Sequence, residues 1–183
     1  MGRQMLKFPE DLRAYERFMW EMRANCVIEL GVSEGGSTLW FRDRLVALGG
    51  GTVIAVDIGP NPDLPEDIRY IEADVLDPQL PGLIEGVLTE DARPFIVEDT
   101  AHTYETTTAA LNGFHHLVPP GGYLLRGNGL ETCKHPIERL WFRSPACAAR
   151  AERQPAREHD DPEPGAPGLA RAFAPALVHS LPP

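Results

Sequence analysis

The sequence predicts an α/β fold of the doubly wound class, a mostly parallel, Rossmann-like sheet with helices on both faces. Five short apolar runs, at residues 26–30, 52–56, 68–71, 94–97 and 123–125, alternate with stretches whose apolar side chains recur every three or four residues. The runs are continuous rather than alternating, which suits strands buried on both faces. A glycine-rich turn follows the first run, and acidic residues stand at or just beyond the run ends: Glu29, Asp57, Asp74, and the pair Glu98 and Asp99.

Leu12, Tyr15, Met19 and Met22 share one face of a helix over residues 9–23, with Pro9 near its start, where a missing N–H costs nothing. The first strand, Cys26-Val27-Ile28-Glu29-Leu30, stops at Gly31. Beyond the turn at 31–38, Leu39, Trp40, Leu45, Val46 and Leu48 continue at roughly helical spacing until Gly49-Gly50-Gly51 ends the helix. The second strand ends at Asp57 and enters a Pro/Gly/Asn-rich loop at 59–65; the third ends near Asp74. A weaker helical stretch at 80–88 precedes the fourth strand. Ala110, Leu111, Phe114 and Leu117 line a helix over 104–117, after which Pro119-Pro120-Gly121-Gly122 turns into the fifth strand.

Residues 131–183 are different material, holding nine of the 18 prolines and ten alanines with little hydrophobic period. Such a segment has few means of burying apolar area, so poor order is expected, apart from a short helix near 170–177. The domain reading is therefore one α/β domain over 1–130 and a Pro/Ala/Arg-rich tail over 131–183. The sheet is expected to lack its C-terminal strands, leaving the fifth strand as an exposed edge. Text of this kind is also what GC-rich coding DNA gives out of frame, which resequencing of the gene decides.

The chain of 183 residues is 43% hydrophobic, enough for one sizeable core. No apolar run is long enough to span a bilayer and no leader is legible, so a soluble, cytoplasmic protein without membrane partners is expected. The net charge of −10 lies wholly in the first 130 residues and argues against nucleic acid as a partner. Cys26, Cys133 and Cys147 form no close pair, which argues against a disulfide framework or a cysteine-built zinc site.

In a doubly wound sheet, ligands bind outside the carboxyl ends of the strands, where the strand order reverses. Glu29, Gly31, Gly35, Gly36 and Ser37 place a tight turn and the start of a helix at one such end. The helix N–H groups there suit a carboxylate or phosphate, and the spacing differs from the GxGxxG dinucleotide fingerprint. Asp57 stands where an acid accepts from both ribose hydroxyls, and Asp74 where one accepts from an adenine amino group.

Pro9-x-Asp11-Leu12, Trp20-Glu21-x-Arg23 and Val27-Ile28-Glu29-Leu30-Gly31-Val32-x-x-Gly35-Gly36-Ser37 together resemble the class I S-adenosylmethionine-dependent methyltransferases. Glu98-Asp99-Thr100-Ala101-His102-Thr103-Tyr104-Glu105, with Pro120-Gly121-Gly122-Tyr123, narrows the resemblance to the branch of the cephalosporin hydroxylases and rhamnosyl O-methyltransferases. The resemblance implies O-methyl transfer to a hydroxyl of a sugar or small natural product. It implies S-adenosylmethionine held by Glu29, Gly31, Gly35, Gly36, Ser37, Asp57 and Asp74. It further implies Mg²⁺ on Asp99 and His102 beside a small-molecule hydroxyl acceptor; from the chemistry of the residues themselves, Glu98 is the second donor at hand and His102 the candidate catalytic base. Histidine is well suited to collect a proton near neutral pH. Homo-oligomer formation is left open.

The pattern breaks at the fifth strand, where an acidic pair is expected and the chain reads Arg126-Gly127-Asn128. Two alternatives therefore stand beside the methyltransferase: a catalytically impaired module that binds cofactor or partner, and a cephalosporin-type hydroxylase. A nicotinamide dehydrogenase is disfavoured by the glycine spacing. The hydroxylase needs a 2-His-1-carboxylate triad, and His115 and His116, adjacent on a helix, cannot both face one metal.

Overall fold

The computed structural model describes residues 3–127, 140–143 and 178–180. The chain runs α1 (Pro9–Met22), β1 (Cys26–Leu30), α2 (Gly36–Ala47), β2 (Thr52–Asp57), β3 (Ile68–Glu72), α3 (Leu80–Glu85), β4 (Pro94–Glu98), α4 (Tyr104–Phe114), a 3₁₀ turn (His115–Leu117), and β5 (Tyr123–Arg126). Two short strands, β6 (Leu140–Arg143) and β7 (Val178–Ser180), complete it. The sheet order is β3-β2-β1-β4-β5-β6-β7, parallel from β3 to β5 and antiparallel beyond.

Side chains of successive strand residues point to opposite faces, and the core divides accordingly. Val27, Val53, Ala55, Phe95, Val97 and Leu125 pack with Tyr15, Phe18, Met19, Phe41 and Leu45 of α1 and α2. Ile28, Leu30, Ile54, Val56, Ile96 and Leu124 pack with Leu80, Ile84, Ala110 and Phe114 of α3 and α4. Both faces are thus covered, as the continuous apolar runs require.

α1 is tied to its face by aromatic contacts. Tyr15 lies 5.7 Å from Phe41 and 5.9 Å from Phe95, and Phe18 lies 4.4 Å from Tyr123, centroid to centroid. Each such pair adds about 0.5–1.5 kcal/mol beyond burial. This anchoring fixes the direction from which residues 3–8 approach the sheet.

One expectation is corrected. β5 is not an edge, because Tyr123, Leu124 and Leu125 pair antiparallel with Arg143, Phe142 and Trp141. A strand with unpaired N–H and C=O groups recruits whatever extended segment is at hand; residues 140–143 supply it here, and residues 178–180 pair on the far side of that segment. The expected helix near 170–177 lies outside the described residues, as does most of the tail.

Candidate active site

The order reverses between β1 and β4. β1 leads through α2 to β2 on one side, whereas β4 lies on the other. At the carboxyl ends the last ladder bonds run from Gly31 N–H to the Val56 carbonyl (2.8 Å) and from Asp99 N–H to the Leu30 carbonyl (2.7 Å). Beyond them the chains part. Gly31 has φ +94°, and a Cβ there would overlap the Asp99 carbonyl oxygen. Only glycine allows both the turn and the approach.

Asp57, at the end of β2, reaches across to this turn. Its Oδ2 accepts from the N–H groups of Val32 (2.7 Å) and Ser33 (3.0 Å), and its Oδ1 from Gly59 N–H (3.1 Å). Burial pushes the carboxyl up, but the N–H groups of Val32, Ser33, Gly59 and Ile58 outweigh it, so it sits below the ordinary value. Its two oxygens thus face the turn after β1 and the loop that opens at Gly59.

Glu29 is fully buried inside β1. Its Oε2 accepts from the Thr38 hydroxyl at 2.5 Å, and the Ser37 hydroxyl stands beside the carboxyl. Burial raises its pKa from 4.5 to about 7, against the lowering effect of the two hydroxyls and of Lys7. Its Oε1 has no hydrogen-bond partner among the described residues. A buried acceptor left in this state costs ~1–3 kcal/mol until a donor arrives.

The remaining expected cofactor residues sit differently. Gly35, at φ +77°, opens α2, and a Cβ there would come within 2.6 Å of Leu64 Cδ2. Gly36 is covered by Gln4, whose carbonyl oxygen a Cβ would overlap. Both glycines thus admit the chain's own atoms closely. Asp74 is exposed two residues beyond Glu72, the register partner of Asp57, and its Oδ1 accepts from Leu76 N–H at 2.9 Å.

On the β4 side, Glu98 is buried and turned to its own loop. Its Oε1 accepts from the Thr100 N–H (3.1 Å) and hydroxyl (2.5 Å), and its Oε2 from the Thr107 hydroxyl (3.2 Å). The His102 ring lies between the two acids, Nε2 at 3.4 Å from Asp99 Oδ1 and Nδ1 at 4.0 Å from Glu98 Oε1. His102 is held at φ +56°, and its carbonyl accepts from Arg126 Nη2 at 3.0 Å. Arg126 also stands 3.9 Å from Glu98. His115 and His116 are elsewhere: His115 bonds backbone carbonyls of α4 and His116 pairs with Glu85.

Residues that the sequence did not point to complete the site. Lys7 donates to Asp99 Oδ2, with its side chain 2% exposed. Ile58, 72% exposed next to Asp57, and Leu76, 49% exposed beyond Asp74, offer apolar surface at two neighbouring strand ends. The only legible signal for Ile58 was an apolar residue opening a polar loop.

These groups do not fit a divalent metal ion. Such ions want several oxygen donors with lone pairs to give, whereas Glu98 is taken up by hydroxyl and amide donors and Asp99 by an ammonium. Among the described residues no three His, Cys, Asp or Glu side chains converge as a metal site. A nucleoside carrying an amino-acid group fits better, since the partnerless Glu29 Oε1 calls for a donor beside the turn that faces Asp57. No helix of the described residues is long and apolar enough to cross a membrane.

A rhamnosyl O-methyltransferase of Mycobacterium leprae is 28% identical over 131 residues, covering 68% of this chain and 57% of that protein. One of Mycobacterium tuberculosis is 25% identical over 132 residues, covering 68% and 54%. The chain therefore spans little more than half the length of these relatives. A structure of CmcI with Mg and SAM is similar with a TM-score of 0.53 at 28% identity, over 67% of this chain and 53% of that one. The mycinamycin-pathway methyltransferase MycE shares the fold, with a TM-score of 0.51 at 21% identity over 62% and 32%. A family model described as Rhamnosyl O-methyltransferase/CmcI matches residues 1–151. By that match, which extends beyond the five parallel strands into the segment carrying β6, the chain belongs to the rhamnosyl O-methyltransferase/CmcI family.

Proposed function

We propose that the chain binds S-adenosylmethionine at the switch point and transfers its methyl group to a hydroxyl of a sugar or other small natural product. The observation that carries this reading is the clamp of Asp57 on the Val32 and Ser33 N–H groups. It holds an acid suited to a ribose against the turn suited to the amino-acid end of the same ligand.

When bound, the cofactor supplies a methyl group activated on a sulfonium. Glu29 accepts from its ammonium through Oε1, while Ser37 and Thr38 keep the carboxylate oriented. Asp57 holds the ribose hydroxyls, Asp74 lies toward the adenine amino group, and Ile58 and Leu76 shield the base from water. The acceptor hydroxyl lies on the Asp99 side, where His102 takes its proton. Arg126 fixes the His102 backbone and so the aim of the ring. Alignment of donor and acceptor supplies most of what an in-line displacement needs.

The test is calorimetric titration with S-adenosylhomocysteine, followed by methyl transfer to rhamnosyl acceptors. Micromolar binding that Asp57→Ala weakens at least about tenfold supports the reading; no binding ends it. A second reading, a module that binds cofactor without turnover, draws on Gly127 standing where the family resemblance expects an acid. Binding with no transfer to any hydroxyl acceptor, with or without Mg²⁺, would favour it.

A further inference from the structure

The segment before α1 is strapped across the turn that follows β1. Arg3 donates to the carbonyls of Glu34 (3.2 Å) and Asp63 (2.7 Å), Gln4 covers Gly36, and α1 is anchored by its aromatic contacts. Between these two fixed ends the strap delivers Lys7 to the switch point. Its side chain is 2% exposed and its ammonium donates to Asp99 Oδ2. Lysine is almost never buried to this degree without a partner, because an unpaired ammonium loses its hydration.

Gly127 forms the third wall. Its N–H donates to the Glu98 carbonyl (2.6 Å), and a Cβ there would lie 3.0 Å from Lys7 Nζ and overlap Asp99 Oδ1. An acidic side chain at 127 would thus have to start where the ammonium and the Asp99 carboxylate already meet. Glycine at 127, where the family resemblance leads one to expect an acid, and the burial of Lys7 fit one another sterically. The charged and titratable groups around it are Asp99, Glu29, His102, Glu98 and Arg126.

We infer that the Lys7 ammonium is the resident cation of the acceptor site, occupying the place beside Asp99 that a divalent ion would need, so that this site works without a metal. The inference rests on the methyltransferase reading for its consequence. For displacement of a sulfonium methyl by an acceptor hydroxyl, in which the carbon–sulfur bond would break as the carbon–oxygen bond formed, His102 would take the hydroxyl proton. Lys7 neither gains nor loses a proton in that step. It holds Asp99 in place and stabilises negative charge developing on the acceptor oxygen, as a fixed cation does in a site shielded from water.

The experiment is Mn²⁺ binding to the full chain, read by electron paramagnetic resonance, for the native protein, Asp99→Asn, Lys7→Met, Lys7→Arg and Lys7→Met with Asp99→Asn. The native protein and Lys7→Arg should show no Mn²⁺ site that depends on Asp99 at up to millimolar metal. Lys7→Met should gain one, at least about tenfold tighter, and lose it again when Asp99 is replaced. A Mn²⁺ site in the native protein that Asp99→Asn alone abolishes overturns the inference. A folded Lys7→Met protein that gains no such site overturns it too, since a carboxylate relieved of its ammonium should accept another cation. S-adenosylhomocysteine titration of the same samples is independent: its failure removes the methyltransferase reading while the cation assignment stands or falls on Mn²⁺.

Discussion

The buried carboxyl of Glu29 makes folding stability depend on pH in a direction that Glu29→Gln removes. In the folded chain it titrates at about 7, against an ordinary value of 4.5. Burial tolerates the protonated form, so its contribution to stability is fully present below pH 4.5 and is lost as pH rises through about 7. Integrated from about pH 5 to about pH 8, the loss is roughly 2–3 kcal/mol, at about 1.36 kcal/mol per unit of separation between the two titrations. Glutamine keeps the shape and the acceptor for Thr38 but cannot ionise. Urea unfolding of both proteins across this range should show the variant gaining on the native chain by that amount, with unchanged m-values. Parallel profiles, or a native chain that gains on the variant as pH rises, would refute the reasoning. The ligand reverses the sign. A ligand ammonium prefers the carboxylate, so S-adenosylhomocysteine should bind the native chain more tightly as pH rises through neutrality and Glu29→Gln at a level independent of pH.

Asp57→Ala leaves the Val32, Ser33 and Gly59 N–H groups without their acceptor, and should lower stability by ~1–3 kcal/mol in urea unfolding as well as weakening the cofactor. Because the native carboxyl titrates below its ordinary value, its contribution is present above the usual aspartate range and fades as pH falls through its folded titration. Gly35→Val puts a β-branched residue at φ +77° with its Cβ 2.6 Å from Leu64 Cδ2. The backbone alone costs ~1–2 kcal/mol, and adding Leu64→Ala should recover part of the total in thermal melts by relieving the overlap. Arg126→Met frees the His102 carbonyl, and should lower methyl transfer by about tenfold or more while leaving S-adenosylhomocysteine affinity within about twofold.

Much of the fold was legible because burial on both faces leaves a local mark. Val27 and Ile28, or Phe95 and Ile96, are apolar in succession since one faces α1 and α2 and the other α3 and α4. The strand ends were legible for a related reason. An acid ending such a run, like Asp57, stands at the strand end where it can find N–H donors, and the turn after β1 provides them. What the run could not carry was the electrostatic state of Glu29, which depends on Ser37, Thr38 and Lys7 arriving from outside the strand. β6 was missed because four residues in Pro/Ala-rich surroundings carry too little period to read. Its Leu140-Trp141-Phe142 run was the signal available.

Lys7 was the least legible of all, and the reason bears on how this site is built. A lysine in a segment without helical or strand period looks solvated, and its partner lies 92 residues away. Its burial follows from three local facts that share no sequence pattern. Gly31 lets β1 and the loop after β4 touch, which brings Asp99 to the crevice. Tyr15 and Phe18 fix α1 on the sheet, which sets the distance left for residues 3–8 to cross. Gly127 leaves the space a side chain would fill. With glycine at 127 and the strap in place, the positive charge beside Asp99 comes from the chain itself.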